Sequence, residues 1–119
     1  MNIKSLLKKI RDDYVINQVK KIEIPNFEPC RICRRSIVFS GRVQKIGFRL
    51  EVSELAKRLG LTGFCRNLEN GDVLAELQGP GDKIDYLILY MESLKRIKIK
   101  NKVVQEIEVN QEEKDFLKQ

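Results

Sequence analysis

Residues 62–78 read TGFCRNLENGDVLAELQ. Two strand-forming runs, 62–68 and 72–78, flank Asn70-Gly71, a pair favoured where a two-residue type I′ turn needs positive φ at both central positions. In the second run Val73, Ala75 and Leu77 fall on one face by the period of two. The stretch predicts an antiparallel hairpin with one side buried. Whatever precedes and follows the hairpin must cover that side.

On the N-terminal side, Val52, Leu55, Ala56 and Leu59 form an apolar stripe, predicting a helix over 50–59 that stops at Gly60. Before it, SIVFSGRV at 36–43 is β-branched and aromatic and predicts a strand. On the C-terminal side, GPGD at 79–82 breaks the chain and offers Asp82 as a helix N-cap. Ile84, Leu87, Ile88, Met91 and Leu94 then give the buried stripe of a helix over 83–95. RIKIKNKVVQEIEV at 96–109 alternates apolar and charged residues, predicting a strand interrupted near Asn101. The order β-α-β-β-α-β predicts an α+β two-layer sandwich of the ferredoxin-like type. It has an antiparallel sheet with two helices on one face and a right-handed first crossover.

Flanking segments complete the plan. Residues 1–33 read as an N-terminal extension, a helix plus linker, ahead of a domain over 34–110. Ile3, Leu6, Leu7, Ile10 and Tyr14 recur at helical spacing; their stripe is expected to pack on the domain, with a membrane-surface or partner-binding helix as the alternative. PNFEPCRIC at 25–33 holds two prolines and reads as a linker. The polar tail 111–119 is expected to fray.

Bulk properties narrow the chemistry. The 119-residue chain carries no histidine, which removes histidine bases, histidine metal ligands and Ser-His or Cys-His nucleophiles. Residues 1–35 hold nine Lys/Arg against four Asp/Glu, whereas residues 36–119 hold fourteen against thirteen. The net charge of +6 therefore sits mainly in the first 35 residues, which weakens a nucleic-acid reading of the rest of the domain. No run of about 18 apolar residues is present, so no membrane span is expected. The N-terminus lacks the apolar core and cleavage site of a secretory signal, and a cytoplasmic location is expected.

The stretch GRVQKIGFR at 41–49 lies between a strand and a helix. A loop in that position presents unpaired N–H groups at the positive end of a helix dipole and attracts an anion. Arg49 adds a planar fork matched to phosphate oxygens. Asn67, at the end of the neighbouring strand, carries an amide that both donates and accepts, suited to holding a water. On spacing alone, a simple turn and a turn asparagine stand beside these readings. The spacing of a Walker loop is absent.

Taken together, SGRVQKIGFR and AKRLGLTGFCRNLENGDV resemble the acylphosphatases, whose signature runs G-x-V-Q-G-V-x-F-R and then G-L-x-G-(aromatic)-V-x-N-x-x-D-G-x-V. The resemblance covers about residues 36–109. It implies the ferredoxin-like fold and hydrolysis of the carboxyl-phosphate bond of a small acyl phosphate. Carried over by position, Gln44, Lys45, Ile46, Gly47, Phe48 and Arg49 bind the phosphoryl group, with phosphate or sulfate as ligands. Arg49 and Asn67 are catalytic, Asn67 by positioning the attacking water. Such a substrate is already activated, so positioning and charge stabilisation carry the reaction, and no cofactor or metal is expected. A monomer is expected.

Lys45 departs from the signature glycine. Either it distorts the cradle, since a lysine at φ > 0 costs about 1 kcal/mol or more, or its ammonium adds a counter-charge. It keeps open the alternative of a catalytically impaired acylphosphatase-like domain used for binding or regulation. Cys30-x-x-Cys33 offers two thiols, but Cys65 is the only other one and four-ligand zinc is not expected. KIGFRLEV is a poor match to the aromatic strand of an RNA-binding module of the same fold.

Overall fold

The structure, a computed structural model, describes residues 2–119. Its elements are α1 (Ile3–Lys21), β1 (Ile32–Arg42), α2 (Phe48–Leu59), β2 (Thr62–Asn67), β3 (Val73–Pro80), α3 (Gly81–Ser93), β4 (Lys98–Ile107) and β5 (Phe116–Lys118). The hairpin of β2 and β3 forms, with Asn67 opposite Val73 and Cys65 opposite Ala75. Strand β1 pairs antiparallel with both β3 and β4, and the sheet order is β4-β1-β3-β2-β5. This is the ferredoxin-like arrangement with an added edge strand.

One side of the sheet is the core. Ile37, Phe39, Cys65, Val73, Ala75 and Leu77 meet Val52, Leu55 and Ala56 of α2 and Ile84, Leu87 and Met91 of α3, all fully buried. Burying one such large apolar side chain is worth roughly 1.5–3 kcal/mol, which fixes the strand registers. No helix among the described residues is long and apolar enough to cross a membrane.

Several expectations change. The turn at Asn70-Gly71 is not type I′, because Lys45 is the only described non-glycine residue with positive φ. Leu68 N–H donates to Asp72 O and Gly71 N–H to Leu68 O, closing a three-residue connection with Gly71 alone left-handed. Asn70 Oδ1 instead accepts from Asp72 N–H at 3.0 Å. Helix α3 starts at Gly81 without a side-chain cap, which leaves Asp82 in the first turn beside the positive end of the dipole. Near Asn101 the strand continues through a bulge, with Ser40 opposite Asn101 and Gly41 opposite Ile99.

The sheet is mixed rather than antiparallel, because the 111–119 tail does not simply fray: it contains β5, parallel to β2. Phe116 buries against the core opposite Gly63. Since β4 and β5 lie at opposite edges, the intervening chain must cross the sheet. It is held there on the face away from the helices. Arg34 forks onto Glu76 and Glu113, and Gln78 exchanges hydrogen bonds with the Asn110 backbone.

Helix α1 packs on the domain, but by a different face from the one expected. Val15 and Val19 are buried, while Ile3, Leu6, Leu7, Ile10 and Tyr14 stay exposed, Ile3 to 74%. At 100° per residue the two sets lie on nearly opposite sides of the helix. Asn2 caps its start by accepting from Ser5 N–H, and Arg58 of α2 donates to the Val19 and Ile22 carbonyls at its end. The linker ends one residue before β1 at Ile32, and Cys33 is buried in the strand.

Candidate functional site

The loop between β1 and α2 is set from four directions. Phe48 opens α2 and buries its ring edge-on against Phe39, with centroids 5.1 Å apart. Gln44 Nε2 donates to the carbonyls of Leu68 and Asp72, both at 2.8 Å, and clips the loop to the β2–β3 turn. Arg96 Nε donates to Ile46 O at 2.9 Å. Arg11 Nη1 of α1 donates to Lys45 O at 3.0 Å.

Lys45 and Gly47 are both left-handed, with φ of 64° and 83°. For lysine this conformation costs about 1–2 kcal/mol. Gly47 is the N-cap of α2 and has no side chain to satisfy the helix start. Among the described residues, none of the N–H groups of residues 45–49 donates to a main-chain acceptor. Successive free N–H groups at left-handed turns make an anion-binding concavity, reinforced by the helix dipole.

A small cavity of about 50 Å³ opens on this loop, lined by Lys45, Gly47, Phe48 and Arg49 and by Asn67 from the end of β2. The structure thus brings the loop, Arg49 and Asn67 together, whereas Gln44 and Ile46 hold the loop from outside the cavity. Lys8, Arg11 and Asp12 of α1, Lys118 of β5, Val43 and Leu50 complete the lining. Cations therefore outnumber the single carboxylate, and Asp12 is itself bonded by Arg11 Nε and Nη2. Arg49 Nη1 donates to Gln119 O at 2.5 Å. Cys65 lies close behind. Burial pushes its thiol up to about 12, against a smaller opposing pull from Arg49 and Lys118.

Under the loop sits a buried ion pair that the sequence reading missed. Glu51 is fully buried and accepts from Arg96 Nη2 at 2.8 Å and from Tyr90 OH at 3.2 Å. Burial, then the Glu51 carboxylate, raises the Tyr90 phenol. A signal existed, since Glu51 stands four residues before Leu55 on the buried stripe of α2. The α1 and β5 residues had none, because their place depends on distant packing. A larger, open groove of about 580 Å³ runs between α1 and α3 past Tyr14, Tyr90 and Arg96 and touches neither Arg49 nor Asn67. Among the described residues no three His, Cys, Asp or Glu side chains converge on a metal site.

Comparison with known proteins shows the family and the fold. The Acylphosphatase family model matches residues 35–117. An acylphosphatase of Vibrio parahaemolyticus is 51% identical over 53 residues, 44% of this chain and 58% of that relative. One from Methanospirillum hungatei is 36% identical over 78 residues, 64% of this chain and 86% of the relative. The matched stretch thus spans little more than half the length of the first relative. The solved structure of an acylphosphatase from Coxiella burnetii superposes with a TM-score of 0.67 at 31% identity, covering 74% of this chain and 93% of that one. The chain belongs to the acylphosphatase family.

Proposed function

We propose that the chain hydrolyses small acyl phosphates. The observation that carries this reading is the row of unpaired N–H groups over residues 45–49, with Lys45, Gly47, Phe48 and Arg49 of that row lining one cavity with Asn67. The loop amides and the Arg49 guanidinium hold the phosphoryl oxygens, where their charge-assisted bonds are strongest. The Asn67 amide holds a water in line with the bond to be broken. The water oxygen attacks phosphorus and the phosphorus–oxygen bond breaks, its electron pair leaving with the carboxylate. The two water protons end on phosphate, so RCOOPO₃²⁻ and H₂O give RCOO⁻ and H₂PO₄⁻.

In this reading a phosphoryl oxygen takes the place of Gln119 O on Arg49, since the cavity is too small to hold a whole acyl phosphate as it stands. One chain supplies every group, so a monomer suffices, and the free thiols of Cys30, Cys33 and Cys65 fit a cytoplasmic setting. The test is release of phosphate from benzoyl phosphate without added metal, with inorganic phosphate as a competitive inhibitor. A folded wild-type protein that is inert at millimolar substrate ends the proposal.

A further inference from the structure

We infer that Arg11 is a positioning residue of the phosphate cradle, and that helix α1 braces the loop in the conformation it needs. The inference rests on the reading of residues 44–49 as a phosphate site and assigns a role to the segment ahead of residues 35–117.

The loop carries a lysine in the left-handed region, at φ 64°. A lysine there relaxes to negative φ unless something holds the adjoining peptide. Arg11 does so. Its Nη1 donates to Lys45 O at 3.0 Å, while Nε and Nη2 fork onto Asp12 at 3.2 and 3.0 Å and fix the guanidinium plane. The side chain also lies against Gly47. A Cβ added there would stand 3.2 Å from Arg11 Nε and 3.5 Å from both Arg11 Cδ and Val15 Cγ2.

The peptide plane transmits the brace. The carbonyl of Lys45 and the N–H of Ile46 point to opposite sides of one rigid unit. Holding the first on Arg11 therefore fixes the direction of the second. Arg96 does the same for the next unit by holding Ile46 O, which orients Gly47 N–H. Arg96 is anchored by buried Glu51, whereas Arg11 depends on how α1 is seated by Val15, Val19 and Arg58.

A four-protein cycle tests this: wild type, Arg11→Ala, Lys45→Gly and the double variant. Each is titrated with inorganic phosphate, following the amide resonances of residues 45–49, and assayed with benzoyl phosphate. In the wild-type background Arg11→Ala is expected to weaken phosphate about tenfold, the worth of the strain it offsets. It also shifts the Lys45 Cα resonance away from left-handed values. In the K45G background glycine holds positive φ unaided, and the loss shrinks to less than about threefold. Equal losses in both backgrounds overturn the brace, as does an unmoved Lys45 resonance.

Arg11→Lys serves if the alanine variant fails to fold. It keeps the charge but cannot hold Asp12 and the carbonyl together, so most of the loss should persist. Full affinity in R11K would make Arg11 a mere charge and defeat the inference. Wild type that binds phosphate but leaves benzoyl phosphate intact counts against the hydrolase, not against the brace.

Discussion

Two arginine-centred regions of this molecule are built to opposite ends. On the open face of the sheet Arg34 is almost fully buried and spends its donors on Glu76, Gln78 and Glu113. At the 44–49 loop the arginines Arg11 and Arg96 spend donors on main-chain carbonyls, and the N–H groups beyond them stay unpaired. A guanidinium saturated by carboxylates has nothing left for a ligand. A loop whose carbonyls are tied back, with cations around it, presents its amides outward. The first region is a staple for the chain that carries β5 across the sheet; the second, in the function proposed above, takes up an anion.

The sharpest way to break the comparison is to truncate each centre in turn. Arg34→Ala leaves Glu76 and Glu113 facing a buried gap and should cost about 3–5 kcal/mol of stability. Denaturant unfolding measures it, and turnover per folded molecule should change little. Arg49→Ala should do the reverse, lowering kcat about 10²–10³-fold, the usual effect of removing a charge-stabilising donor, with melting nearly unchanged. Asn67→Ala removes the amide proposed to hold the water and should lower kcat by roughly 10²-fold, more than it raises KM.

The effect confined to strongly alkaline solution is a pH dependence. Burial raises the Cys65 thiol to about 12 from an ordinary value of 9.0. Above pH 9 the unfolded chain releases this proton while the folded one keeps it. Stability is therefore full below about pH 9 and falls as pH rises toward 12. Tyr90, also raised, adds to the same slope. Cys65→Ala should flatten the alkaline limb of a melting-against-pH curve, and the folded thiol should resist alkylation below that range.

What could be read from the sequence follows the range of the forces involved. The hairpin, both core helices and the loop with Arg49 and Asn67 were legible, because period, turn residues and motif spacing are local. Asn70-Gly71 marked the turn but not its type, since three-residue and two-residue connections share the same glycine. The stripe from Ile3 to Tyr14 is more apolar than Val15 and Val19, yet the valines are buried. Periodicity finds a face, and the packing of Val15 and Val19 with the Arg58 bonds to the end of α1 decides which face docks. Likewise FLK at 116–118 looks like a polar tail until Arg34 carries the chain to the far edge.

The central claim is that the loop, Arg49 and Asn67 form one hydrolytic site. Steady-state hydrolysis of benzoyl phosphate by wild type, Arg49→Ala and Asn67→Ala, with folding checked by circular dichroism, tests it most directly. Wild type is expected to turn over the substrate, with losses of about a hundredfold or more in each variant. A folded wild type without turnover, or variants as active as wild type, would contradict it.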